Sequence, residues 1–121
     1  MLTTFSFSSD TVGFLMEGKI SRETILDLNT AIEEKLARFG KINLYLEDSN
    51  ISSFELPAIL DQISFKFNHR NQFNKIALVT DRKWIHWCAH VDDAYMRADV
   101  KPFDVKNRLQ AIAWIADDLH L

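Results

Sequence analysis

The sequence predicts an α/β sandwich: a mostly parallel, mixed sheet of about five strands flanked by four helices, in the order β-β-α-β-α-β-α-β-α. Apolar runs of strand length alternate with segments whose apolar residues recur at helical spacing, the pattern of strand–helix–strand units. The runs KINLYLE and KIALVT are apolar almost throughout, as strands covered on both faces must be. A length of 121 residues suffices for one core and is too short for two, so residues 1–121 read as a single domain.

The elements follow in order. LTTFSFSS and TVGFLMEG are strands of a hairpin with Ser9 and Asp10 between them. Ser21 caps the first helix, whose stripe is Ile25, Leu28, Ile32, Leu36 and Phe39, and Gly40 ends it. The strand KINLYLE leads into a loop, DSNISSFELP, and then a second helix near AILDQISFKFNHRN. KIALVT is the most convincing central strand in the chain, and Asp81 is the expected N-cap of the third helix, which carries WIHWCAHVDDAYM. DVKPFD holds Pro102, which lacks an N–H for a ladder, so this strand belongs at a sheet edge. Asp104 is expected to cap the last helix, VKNRLQAIAWIADDL, with Leu109, Ile112, Ala113, Ile115 and Leu119 toward the core.

Composition narrows the function classes. The net charge of −3 argues against nucleic-acid binding, which needs a basic face. No run approaches the roughly 18 apolar residues of a membrane span. The N-terminus lacks the basic and apolar regions of a signal peptide, and the lone Cys88 cannot form an internal disulfide, so a cytoplasmic location is expected. Three glycines and two prolines leave no phosphate loop and no flexible linker.

WIHWCAH concentrates chemistry-bearing side chains. On a helix Trp84, Trp87 (or Cys88), Val91 and Tyr95 share one side, which is expected to face the core. His86 and His90 lie four apart on another side with Asp93 near, an acceptable geometry for zinc. The metalloprotease motif is absent because Trp87, not Glu, follows His86; a solvated polar face is the favoured reading, with no metal and no cofactor. His86 and His90 each stand two residues from Cys88 and point elsewhere, so Cys88 reads as a buried, inert thiol. Trp84 and Trp114 fit a core edge or a pocket rim, with core packing the more common use of such residues.

The second helix has an apolar excess. Phe54, Leu56, Ile59, Leu60, Ile63, Phe65 and Phe67 spread around more than one stripe, and residues two apart cannot share a helical face. Some of this surface should meet a partner, a second copy of the chain or an apolar ligand.

Three stretches carry a resemblance over nearly the whole chain. FKFNHRNQFNKIALVTDRKW, KPFDVKNRLQAIAWI and GFLMEGKISRETI resemble the corresponding passages of the SpoIIAA-like family of small bacterial proteins, also described as STAS-like or CRAL-TRIO lipid-binding-like. The element order resembles the STAS domain of anti-anti-sigma factors. The resemblance implies partner binding switched by serine phosphorylation, nucleotide binding in some STAS domains, and lipid binding in the CRAL-TRIO-like comparison. His69 matches a family position, although the residues around it read as structural.

The resulting expectation is a non-enzymatic STAS-like module that binds an apolar, lipid-like ligand or a protein partner, and forms a homodimer. The surface would comprise Phe54, Phe65, Phe67, Trp84 and Trp87, with His69 orienting a ligand. The alternative is an anti-anti-sigma-type partner switch at Ser52 or Ser53. Those serines lack the preceding Asp and following Gly of the Asp-Ser-Ser-Gly-like motif, and an N-cap or turn role suits them better. A metal-dependent enzyme using His86, His90 and Asp93 comes last, because no nucleophile–base–orienter set is present.

Overall fold

The computed structural model describes residues 2–8, 10–69, 71–95 and 98–116, with side chains throughout except at 5–8, 63, 64, 66, 67, 92 and 95. Its elements are β1 (Leu2–Ser8), β2 (Thr11–Ile20), α1 (Arg22–Phe39), β3 (Ile42–Phe54), α2 (Leu56–Asn68), β4 (Phe73–Val79), α3 (Lys83–Tyr95), β5 (Asp99–Phe103), a 3-10 turn (Val105–Asn107) and α4 (Arg108–Ala116). The five strands lie side by side in chain order, with β1 antiparallel to β2 and every later pairing parallel. The strand with Pro102 does lie at the edge.

Sequential order with right-handed crossovers places α1, α2 and α3 on one face of the sheet. Side chains alternate accordingly. Leu44 of β3 and Ile76 and Leu78 of β4 join the stripe of α1 in one core. Tyr45, Ala77 and Val79 point the other way and join Ala111 and Ile115 of α4 in a second. Both faces are therefore covered over 42–47 of β3 and 75–79 of β4, the physical cause of the near-continuous apolar runs there.

Helix α1 forms where local signals agree. The Ser21 hydroxyl accepts from the Thr24 N–H at 3.2 Å, and Thr24 Oγ1 accepts from the Ser21 N–H at 3.3 Å, so two orphan donors are satisfied reciprocally. Ile25, Leu28, Ile32 and Leu36 are buried, and each such side chain contributes about 1.5–3 kcal/mol. Phe39 is partly exposed, under the cations of Lys35 and Arg38. The chain leaves α1 through Gly40 at φ +73°, whose N–H reaches Leu36 O at 2.8 Å while Lys41 N–H reaches Phe39 O at 2.8 Å. A Cβ at Gly40 would meet nothing within 4 Å, so only backbone strain opposes a side chain there. Gly40→Ala is expected to lower unfolding stability by about 1–2 kcal/mol in urea titration with m unchanged.

The structure corrects several expected boundaries. The segment predicted as a loop after KINLYLE remains in the sheet to Phe54. Pairing of β2 with β3 slips twice, because Met16 and Glu17 face Asp48 and Asn50, and Gly18 and Lys19 face Ile51 and Ser53. Ser49 and Ser52 are thus the extra residues of two bulges, and Gly18 takes φ +75° beside the second. The bulges absorb a polar stretch without ending the strand.

Asp81 does not cap α3. The Arg82 carbonyl accepts from Ile85 and His86 at the helix start, and Thr80 Oγ1 accepts from the Arg82 N–H at 3.1 Å. Asp81 Oδ1 instead accepts from the Val105 N–H at 3.0 Å, tying the end of β4 to the segment after β5. Asp104 stands at the cap position of the 3-10 turn but makes no side-chain capping bond. That turn, wound at about 3.0 residues per turn, resets the phase of α4. Ala111 and Ile115 are buried, whereas Leu109 is 77% exposed and Ala113 is exposed, contrary to the expected face. Leu119 lies outside the described residues.

Candidate functional site: an apolar cavity between two helices

On the three-helix face α1 packs along α2, and α3 leans onto β5; α2 and α3 scarcely meet among the described residues. The gap between them is a cavity of about 350 Å³. Its floor is the sheet, at Leu46, Ile51 and Leu78, and Ala58 and Ile59 of α2 form one wall. The opposite wall is the stripe of α3 that begins in WIHWCAH: Trp84, Trp87, Cys88 and Val91.

The sequence expectation for that stripe is thereby corrected. Trp84 and Trp87 are 45% and 67% exposed, so they rim the cavity rather than fill the core; Ala89 and Ile85 make the contact with the core. The reason is spacing. A stripe packs only if a neighbouring element reaches it, and α3 stands too far from α2. Cys88 is half-buried in the cavity wall, not sealed in the core. Phe54 lies edge-on to Trp84, with centroids 5.2 Å apart, and closes the gap where β3 turns into α2.

A small polar cluster edges this apolar space. Asp48 Oδ2 accepts from Arg82 Nε at 2.7 Å and from the Thr80 hydroxyl at 2.9 Å, and Asp48 Oδ1 accepts from the Ile51 N–H at 3.0 Å. Arg82 also donates to Ile51 O and lies over the Phe54 ring, 5.4 Å from its centroid. Burial pushes the Asp48 carboxyl upward. The bonds from Ile51, Arg82 and Thr80 outweigh it and hold Asp48 below the ordinary carboxylate range. Gln62 of α2 also lines the cavity, and both its amide atoms are buried with no hydrogen-bond partner among the described residues.

The histidines stand elsewhere. His86 Nε2 lies 2.6 Å from the Thr80 carbonyl, which can only accept, so Nε2 carries the proton; Asp104 is 3.6 Å away. Asp93 Oδ1 accepts from the Val100 N–H at 3.1 Å, and His90 is exposed. No group of three metal-ligating side chains gathers among the described residues, so His86, His90 and Asp93 do not converge on one point. His69 is paired with Gln72 at 2.5 Å, lies 4.0 Å from Glu33, and packs on Phe65 with centroids 4.3 Å apart. It sits at the far end of α2, in a shallow cleft with Leu36 and Ala37, and does not line the cavity.

Of the apolar candidates, Phe54, Trp84 and Trp87 come together at the cavity, while Phe65 is buried in the core and outside its lining. The side chain of Phe67 lies outside the described residues. Ser52 and Ser53 are exposed on β3 rather than at the start of α2, where the Glu55 carbonyl accepts from the Ile59 N–H. Their expected N-cap or turn role is corrected with it. Sequence reasoning missed Asp48, Arg82 and Gln62; only Gln62, an amide between Ile59 and Ile63 of the apolar α2, left a local signal.

An antiparallel lead strand, four parallel strands in chain order, and helices divided three to one over the sheet define a STAS-like α/β module. The chain belongs to the SpoIIAA-like family, whose family model matches residues 11–116. It is similar in structure to an uncharacterized protein with a SpoIIAA-like fold from Shewanella loihica PV-4, with a TM-score of 0.76 at 18% identity, covering 96% of this chain and 93% of that one. At that identity the likeness speaks for the fold alone. No curated protein matches the chain. No helix among the described residues is long and apolar enough to cross a membrane.

Proposed function

We propose that this STAS-like module is a non-enzymatic, cytoplasmic binding protein whose ligand is an apolar, lipid-like molecule held between α2 and α3. The cavity carries this reading. About 350 Å³ of space with apolar walls falls within the size range of small-molecule pockets, roughly 300–1,000 Å³. An apolar space left empty forfeits the dispersion contacts of its walls, so an occupant of matching chemistry is favoured. The partner-switching alternative needs a serine at the start of α2, where Glu55 and Leu56 stand.

Native mass spectrometry of protein purified from a bacterial host tests the proposal. The expected result is a stoichiometric adduct of lipid or metabolite mass that is lost on denaturation. A homodimer free of adduct would overturn it and assign the exposed Leu56, Leu60, Trp84 and Trp87 to self-association.

A further inference from the structure

We infer that the cavity selects ligands with a neutral hydrogen-bonding head, such as a medium-chain alcohol or amide, and discriminates against the corresponding carboxylates. This rests on the binding reading above and specifies its ligand.

Two observations carry it. The first is the amide of Gln62, which lines the cavity with its nitrogen and oxygen both buried and without a hydrogen-bond partner among the described residues. Buried polar groups in native proteins are almost always hydrogen-bonded, because leaving one unmade forfeits its hydration without return. An amide offers a donor and an acceptor side by side. A hydroxyl or a second amide answers both, whereas an ionised carboxylate answers only the donor and faces the Gln62 oxygen with like partial charge.

The second observation is that none of the described residues around the cavity is Lys, Arg or His. The Arg82 guanidinium, which lies over the Phe54 ring at the cavity edge, is engaged by Asp48 and the Ile51 carbonyl. Asp48 itself borders the cavity as a carboxylate. An anionic head entering this space would lose its hydration, meet no cation among the described lining residues and approach a like charge. Size sets the chain length. A cavity of ~150 Å³ holds benzene, so about 350 Å³ accommodates roughly a dozen non-hydrogen atoms.

The test titrates the protein with 1-decanol, sodium decanoate and butylbenzene at pH 7.5, following tryptophan fluorescence from the rim. Wild type should bind 1-decanol at least tenfold more tightly than decanoate. Gln62→Leu should weaken 1-decanol by roughly five- to tenfold while binding butylbenzene as well as wild type or better. Because the substitution removes an unpaired buried amide, its Tm should not fall. Decanoate binding as tightly as the alcohol would overturn the neutral-head inference, and so would an unchanged 1-decanol affinity in Gln62→Leu. Both outcomes leave the apolar cavity standing. Wild type that binds none of the three probes overturns the binding reading itself. The wild-type comparison needs no variant and decides the inference even if Gln62→Leu folds poorly.

Discussion

Arg108→Ala is expected to destabilise the fold by about 3 kcal/mol, because it strips a buried carboxylate of its only cation among the described residues. Glu47 sits on β3 facing α4 and is 3% exposed. Arg108 Nη2 reaches Glu47 Oε2 at 2.5 Å, and the Tyr45 hydroxyl donates to Glu47 Oε1 at 2.6 Å. Burial and the neighbouring Glu47 raise the Tyr45 hydroxyl far above its usual range, so it stays protonated and remains a donor. Without Arg108, Glu47 keeps hydroxyl partners but no opposite charge. The Arg108 side chain is itself about half exposed, so water can take part of its place, which sets the effect at the lower end of the range for broken buried pairs. Urea unfolding of four proteins isolates the pair: wild type, Arg108→Ala, Glu47→Gln and the double variant. Glu47→Gln should recover most of the loss in the Arg108→Ala background, since a neutral amide needs no cation. A loss below about 0.5 kcal/mol for Arg108→Ala would show that water serves Glu47 as well as the guanidinium does.

Asp48→Asn is expected to cost about 2–3 kcal/mol at pH 7 and to flatten the acid limb of the stability curve. Asp48 binds Arg82, Thr80 and the Ile51 N–H together, and an amide in its place turns one of its two acceptors into a donor. The folded-state carboxyl titrates below its unfolded value of about 3.9. The unfolded chain therefore binds the proton first as pH falls. The stabilisation from Asp48 is complete above about pH 4 and is lost below it, as pH descends through the lowered folded-state value. The gap between wild type and Asp48→Asn should accordingly be constant from pH 7 to about 5 and narrow below pH 4. A gap that stays constant into acid would show that Asp48 is not held in its ionised form. Arg82 would also lose its anchor over Phe54, so this variant should loosen the cavity edge and shift tryptophan emission from Trp84.

The features legible in the sequence are those whose causes are local. Ser21, the Ile25–Leu28–Ile32–Leu36 stripe and Gly40 lie within one helix and its ends, so spacing and capping chemistry suffice to place them. KIALVT reads as an interior strand because a strand covered on both faces must be apolar at nearly every position, whatever covers it. The apolar excess of the second helix was likewise legible as a surplus over one stripe.

What covers that surplus was not. Trp84, Trp87 and Val91 make a valid core stripe by periodicity, yet they wall a cavity because α3 settles on β5 and leaves α2 apart. Two bulges carry β3 past Ser49 and Ser52, a matter of pairing with β2 that no local signal in DSNISSFELP encodes. Asp48 meets Arg82 across 34 positions, and Glu47 meets Arg108 across 61. The sequence by itself determined the order and type of the elements, since these follow from periodicities of two and 3.6 within short windows. Only the tertiary structure decided which apolar faces meet and which enclose space, because that depends on the separation of whole elements across the sheet.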